Sequence, residues 1–230
     1  MTIRISGKVV TASLLCCIAL LTALHIAAYT CFSFSTCASD IPLLYNYGFY
    51  VDLGREQNIP TWFSIFQLAL AACLFAIGAV NASLHGEKAL PWYGLSIIFL
   101  YIGLDEMTDF HGFWAPNHVS DLGFQFGHAG FNWVYGGLIV VIAVGLLYAR
   151  WLVSIESRLR WQIVLAGGVY VTGALVLEAI GGLVVDEGHL STTYIIIFTL
   201  EEVFEMLGIA ILLNALISYF GRQAVQVHFK

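Results

Sequence analysis

The sequence predicts an all-α, polytopic membrane protein with six transmembrane helices, and three observations carry that expectation. Hydrophobic residues make up 60% of the 230-residue chain and charged residues only 10%, which lies outside the usual composition of soluble domains. Apolar runs recur six times, and each can supply about twenty helical residues. At 1.5 Å rise per residue, that length covers a hydrocarbon core of roughly 30 Å. The third observation bears on function: three of these runs contain carboxylates, and ionisable groups in hydrocarbon are costly enough to mark a working site.

The expected spans are residues 9–32, 62–82, 90–114, 129–153, 162–185 and 193–219, in one domain covering residues 1–230. The first follows Arg4 and Lys8 and could be mistaken for a signal peptide. Its apolar run is too long for one, no small-x-small cleavage site precedes Thr30-Cys31, and Tyr29 and Thr30 are too bulky for a lipidation signal before Cys31. It is therefore read as a retained span. Pro60 marks the entry to the second span, and Pro91 sits in the first turn of the third, where its missing N–H costs nothing. A connection over residues 112–127, holding Pro116, Asn117, His118 and Asp121, separates the third span from the fourth. Gly167, Gly168, Gly173, Ala174, Gly181 and Gly182 line the fifth, and Gly208 lies in the sixth, one turn beyond Glu205. Small residues of this kind let helix backbones approach.

Charge placement orients the chain. Arg4, Lys8, Lys88, Arg150, Arg158, Arg160, Arg222 and Lys230 fall on one side of the six spans and only Arg55 on the other. The positive-inside bias makes the first side cytoplasmic and puts both termini there. The outer side receives Asp40, Asp52, Glu56, Asp121, Asp186 and Glu187, so no basic surface for nucleic acid exists. The connection over residues 33–61 is rich in Leu, Tyr and Phe and is expected at the interface or over the outer mouth. Cys16, Cys17 and Cys73 read as small apolar fillers. Cys31 and Cys37 lie where an oxidising space could bridge them.

Depth brings the acidic residues together. Counting from the outer ends of their spans, Asp105, Glu106 and Asp109, then Glu178, then Glu201, Glu202 and Glu205 fall within a slab about 10 Å thick in the outer half. His25, Gln67 and Asn132 reach nearly the same level. Asp-Glu-x-x-Asp and Glu-Glu-x-x-Glu stand in the third span of each set of three, which makes the halves candidate inverted three-helix repeats. At 100° per residue each motif points three carboxylates into a sector about 100° wide. Two such sectors with Glu178 between them cannot stay fully ionised without cations or protons.

Metal ions are one way to compensate, protons another, and polar contacts between helices are the bland alternative. The metal reading takes Asp105, Glu106, Asp109, His111, Glu178, Glu201, Glu202 and Glu205 as candidate ligands, with Glu106 and Glu202 as candidate catalytic carboxylates. Carboxylates with a little histidine suit one or two divalent ions, Fe, Mn or Zn. The Glu-x-x-His element of di-metal bundles is absent. His111 lies about 200° around the helix from Asp109 and joins the acidic face only if the helix ends or unwinds near Gly112. His128 and His189 could reach the site from outer ends, and His25 is either a ligand or a packed histidine. His118 reads as a loop residue, and His85 and His228 lie on the cytoplasmic side. Gln67 and Asn132 read as hydrogen-bonding partners.

The segment from Asp52 to Ser64 (DLGREQNIPTWFS), the run Leu104 to His111 (LDEMTDFH) and the run Leu200 to Gly208 (LEEVFEMLG) resemble a widespread group of bacterial polytopic membrane proteins without assigned activity. The resemblance spans most of the chain and implies a bacterial inner-membrane location. Members of that group carry His-Glu at the end of the third span, where this chain has His111-Gly112. One expected acidic ligand is therefore missing.

The leading expectation is a membrane-embedded, metal-dependent enzyme, either a di-metal carboxylate oxidoreductase or a hydrolase. It would act on a hydrophobic small molecule entering from the lipid. A cation or proton-coupled transporter is the second reading, and a non-catalytic subunit of a membrane complex the third. The sequence carries no signal for oligomeric state.

Overall fold

The computed structural model describes residues 7–33, 48–110, 133–185 and 191–223. Every regular element among them is helical: α1 (Gly7–Ser33), a 3-10 turn (Gly48–Val51), α2 (Ile59–Leu84), α3 (Leu90–Thr108), α4 (Trp133–Ser154), α5 (Ser157–Val171), a π-helical segment (Thr172–Leu177), α6 (Glu178–Val184) and α7 (Thr192–Gln223). By length and composition, four stretches can cross a membrane: Gly7–Cys31, Ile59–Leu84, Trp133–Ser154 and Ser157–Val184. This is an all-α membrane protein. The two long helices outside that set, α3 and α7, carry the acidic motifs.

Local chemistry sets the helix ends. Asn58 caps α2 by accepting the Thr61 N–H at 3.2 Å, and Pro60 occupies the first turn. Its amide also donates to the Asp52 and Phe49 carbonyls, at 2.6 and 3.1 Å, which ties the preceding segment to the helix start. α3 stops sooner than expected. Asp109 adopts the left-handed conformation (φ 47°) and donates its N–H to the Asp105 carbonyl at 2.9 Å, ending the helix at Thr108 rather than near residue 114. Asp tolerates this conformation better than most residues, so an acidic side chain serves as the stop.

The long helix α7 is the hub, packing against α5, α1, α2 and the π segment, while α2 lies along α3. Leu213, Leu216, Phe75 and Leu68 are fully buried at these contacts. One end of the bundle is closed by rings. Trp92 at the start of α3 meets Trp151 edge-on at 5.2 Å and stacks on Tyr219 at 5.9 Å, with Phe75 and Phe220 alongside. Aromatic burial on this scale makes that end dry and rigid. α4 lies at the periphery with Leu138, Ile139, Leu146 and Leu147 exposed, as a lipid-facing helix requires.

Candidate functional site

At the opposite end the helices diverge around a cavity of about 810 Å³. Asp105 and Glu106 reach it from the last turn of α3 and Asp109 from the cap. Glu178 reaches it from the first residue of α6, and Glu201, Glu202 and Glu205 from α7. The structure therefore brings together seven of the eight residues singled out in the sequence. The eighth, His111, lies outside the described residues, as do His118, His128, His189, Asn132 and Cys37.

Two features of the backbone put the carboxylates there. The first is the π-helical segment immediately before Glu178, where the helix widens by one residue per turn and re-aims the side chains that follow. The second is close packing of this segment on α7. A Cβ added to Gly173 would stand 2.7 Å from the Glu201 carbonyl oxygen and 2.9 Å from Glu205 Cγ. One added to Gly208 would stand 2.7 Å from the Tyr170 amide nitrogen. Only glycine permits those approaches, and they seat the segment that carries Glu178 against the helix that carries Glu201, so that both residues line one cavity. Trp133 Nε1–H donates to Glu178 Oε1 at 3.0 Å, and the Tyr170 hydroxyl faces Glu205.

The segment before α2 forms part of the wall and was not recognised in the sequence as part of the site. Asp52 and Glu56 bring the wall to nine carboxylates, and Arg55 is the only Lys or Arg that lines it among the described residues. Arg55 Nε donates to Asp52 Oδ2 at 3.1 Å, and the Gly54 N–H donates to Asp52 Oδ1 at 3.1 Å. Tyr29, Tyr194, Phe198, Phe49 and Trp133 supply aromatic surface. Asp52 could have been suspected from its place beside Arg55 in a connection expected over the mouth. The tyrosines carry no comparable signal, since aromatic residues are common throughout the chain.

His25 does not face the cavity as a ligand. It is fully buried, its Nδ1 accepts the Leu53 N–H at 3.0 Å, and its Nε2 lies 3.0 Å from Thr199 Oγ1. Because a backbone N–H can only donate, Nδ1 must be the acceptor and the proton sits on Nε2. The Asp52 carboxylate stands 3.4 Å from the same Nδ1. The Leu53 bond occupies that lone pair, so the contact is a near approach rather than an ion pair. His25 is a packing histidine that pins α1, α7 and the mouth segment together.

This geometry corrects the metal expectation. Among the described residues, no group of three or more His, Cys, Asp or Glu side chains is arranged to hold a metal ion. The carboxylates are spread over the walls of a wide chamber, whereas a divalent ion needs its donors to converge within about 2.0–2.6 Å of one point. Fe, Mn or Zn as cofactor is thus withdrawn, and with it the roles of Glu106 and Glu202 as catalytic carboxylates of a di-metal centre. The expectation of oxidoreductase or hydrolase chemistry rested on that centre and goes with it.

Gln67 occupies a separate position beneath the acidic floor. Fully buried, it donates Nε2–H to the Met206 carbonyl at 3.4 Å, while its Oε1 has no hydrogen-bond partner. It lines a second chamber of about 10 Å³ that shares Glu106, Glu205 and Tyr170 with the main cavity.

A protein-family model described as a domain of unknown function (DUF8692) matches residues 14–219. No curated protein and no solved structure matches the chain.

Proposed function

We propose, from the premise that the chain belongs to this family of unknown function, DUF8692, that it is a proton-coupled cation carrier of the membrane. One observation carries the reading: nine carboxylates around a single chamber, with Arg55 the one Lys or Arg on its described wall. Such a chamber attracts cations and shares protons among its acids, because close carboxylates in a poorly solvated space do not all keep their charge. Binding a cation then releases protons and protonation releases the cation. That exchange is the coupling a carrier needs.

The aromatic end supports a carrier over an open pore, since among the described residues Trp92, Trp151 and Tyr219 pack ring against ring on that side. In this reading α3 and α7 also cross the membrane, giving six spans. The bias of basic residues puts the termini and the aromatic end in the cytoplasm. Matching acidic motifs in the third span of each half support an inverted pair of halves, with the site at their interface.

Reconstitution into liposomes tests the proposal. An imposed pH gradient is expected to drive uptake of a cation from a panel of organic and inorganic species, with measurable proton counterflow. Glu202→Gln is expected to abolish that flux. Proton-independent leak, or no flux of any species from protein that is folded and inserted, would overturn it.

A further inference from the structure

We propose that the ligand of the acidic cavity is a linear aliphatic oligoamine, with one primary ammonium group reaching into the small adjoining chamber beside Gln67. The proposal deepens the carrier reading and rests on it for the direction of transport, but not for binding.

The orientation of Gln67 is fixed by its neighbour. The Met206 carbonyl can only accept, so Nε2 must face it, at 3.4 Å, and Oε1 must point away. That oxygen is buried and without a partner, and Gln67 is one of the residues that line the 10 Å³ chamber. A buried acceptor left unsatisfied is costly, so its persistence points to a donor that arrives from elsewhere. The chamber has room for a single water-sized group, which is also the size of a primary ammonium. Glu106 and Glu205 are among its other lining residues. An ammonium has three N–H donors and no acceptor. An amide carbonyl and carboxylates around one small space are the complement of that group.

The rest of the cavity selects the body of the ligand. Glu201 and Glu202 precede Glu205 by about one turn of α7, Glu178 lines the same cavity, and Asp52 lies 3.4 Å from His25, which meets Thr199 earlier still on α7. This spacing gives successive acidic stations to a chain bearing several ammonium groups, where a monoamine would answer only one. Tyr194 and Phe198, whose rings meet at 5.4 Å, give the methylene segments an apolar wall and the charges a π face. A flat aromatic cation could stack at the mouth but could not enter a chamber this narrow at the floor. An inorganic monovalent cation would leave the aromatic wall unused.

Calorimetric titration of the purified full-length protein in detergent with spermidine, at ionic strength held constant by exchanging tetramethylammonium chloride for KCl, tests the assignment. Saturable binding is expected, competed by protons and not by added K⁺. 1,8-Octanediol, which keeps the chain and lacks the charge, is expected not to bind. Gln67→Leu and Glu205→Gln are each expected to weaken spermidine binding about tenfold, while Glu156→Gln, remote from the cavity and paired with Arg222, leaves it unchanged.

A ligand-side comparison needs no variant. Fully quaternised spermidine, with every nitrogen a quaternary ammonium, keeps its charge but has no N–H for the Gln67 carbonyl, and about tenfold weaker binding is expected. Equal affinity for spermidine and its quaternised form, no saturable binding, or displacement by K⁺ at matched ionic strength would each overturn the proposal. Spermidine binding without any flux in liposomes would refute the carrier and leave the ligand assignment standing. Proton-coupled flux of another cation without spermidine binding would do the reverse.

Discussion

Replacing Gly173 with alanine probes the contact on which the site geometry depends. The added methyl would lie 2.7 Å from the Glu201 carbonyl oxygen, 2.9 Å from Glu205 Cγ and 3.1 Å from the Glu205 amide nitrogen. Two of the three obstacles are backbone atoms in the middle of α7, so neither can rotate away. The π segment and α7 must separate by several tenths of an ångström. Overpacking of this kind costs about 1–3 kcal/mol, and the gain in helix propensity from glycine to alanine returns only about 0.5–1 kcal/mol. A net loss of roughly 1–2 kcal/mol is therefore expected. Gly168→Ala is the matched control, because nothing lies within 4 Å of its would-be Cβ and only the propensity gain applies. Unfolding in mixed micelles should rank the proteins Gly168→Ala at or above the parent and Gly173→Ala below both. The Gly173 variant should also lose flux out of proportion to its stability, since the displacement pulls Glu201 away from Glu178. Parent-like stability and flux in Gly173→Ala would refute the reasoning.

Asn58→Ala removes a helix cap and two carbonyl contacts of the mouth segment at once, and a loss of about 2 kcal/mol is expected in the same unfolding assay. His25→Leu keeps the volume of a packed side chain but leaves the buried Leu53 N–H without its acceptor; about 1–3 kcal/mol should be lost, with accelerated amide exchange at Leu53 as the local readout. Glu202→Gln should abolish proton-coupled flux at every pH, whereas Glu156→Gln breaks only an exposed pair with Arg222, costing about 0–1 kcal/mol and leaving flux intact. In the parent protein, cation uptake should fall as the pH on the cavity side is lowered, because protons then occupy the carboxylates that would hold the cation. Uptake indifferent to that pH would remove the coupling from the carrier reading.

The site was legible to the extent that helix periodicity and depth are arithmetic. Asp105, Glu106 and Asp109 recur at helical spacing near the end of one apolar run, Glu201, Glu202 and Glu205 do so in another, and Glu178 sits at a matching distance along a third. A constant rise per residue is enough to bring them to one level. The arithmetic stopped at departures from ideal helix. It had no means of foreseeing that Asp109 turns left-handed and ends α3, or that residues 172–177 widen into a π turn just before Glu178. Asp109 is only one of several residues in the run that tolerate a left-handed turn, and the π turn lies where Gly173 packs on α7, a contact no local pattern announces. The stripe of glycines in the fifth span was visible, but only Gly173 within its α5 and π portions meets α7 closely, while Gly167 and Gly168 face open space. Composition alone does not tell a packing glycine from an incidental one. The metal expectation failed for a related reason. Sector angles describe which way carboxylates point, and the width of the chamber between the helices decides whether they converge.

That width also separates the two ends of the molecule in a way that bears on mechanism. α7 borders the acidic chamber with Glu201, Glu202 and Glu205 and, four turns later, closes the aromatic cluster with Tyr219 and Phe220. α3 runs from the same cluster, through Trp92, to the same chamber, through Asp105 and Glu106. Both helices thus link an open, charged compartment to a close-packed aromatic one. A charge entering from the open end meets carboxylates along its path and then a wall of rings, where desolvation would be prohibitive unless the rings part. In the carrier reading, passage to the other side requires the two helices to move against their neighbours. The π segment, already departing from regular helical geometry where it touches α7, is a place where such a shift need not break a regular ladder of hydrogen bonds. A static pore would need neither the aromatic closure nor an irregular helix beside the charge cluster, and the coexistence of the two favours alternating exposure of one shared site.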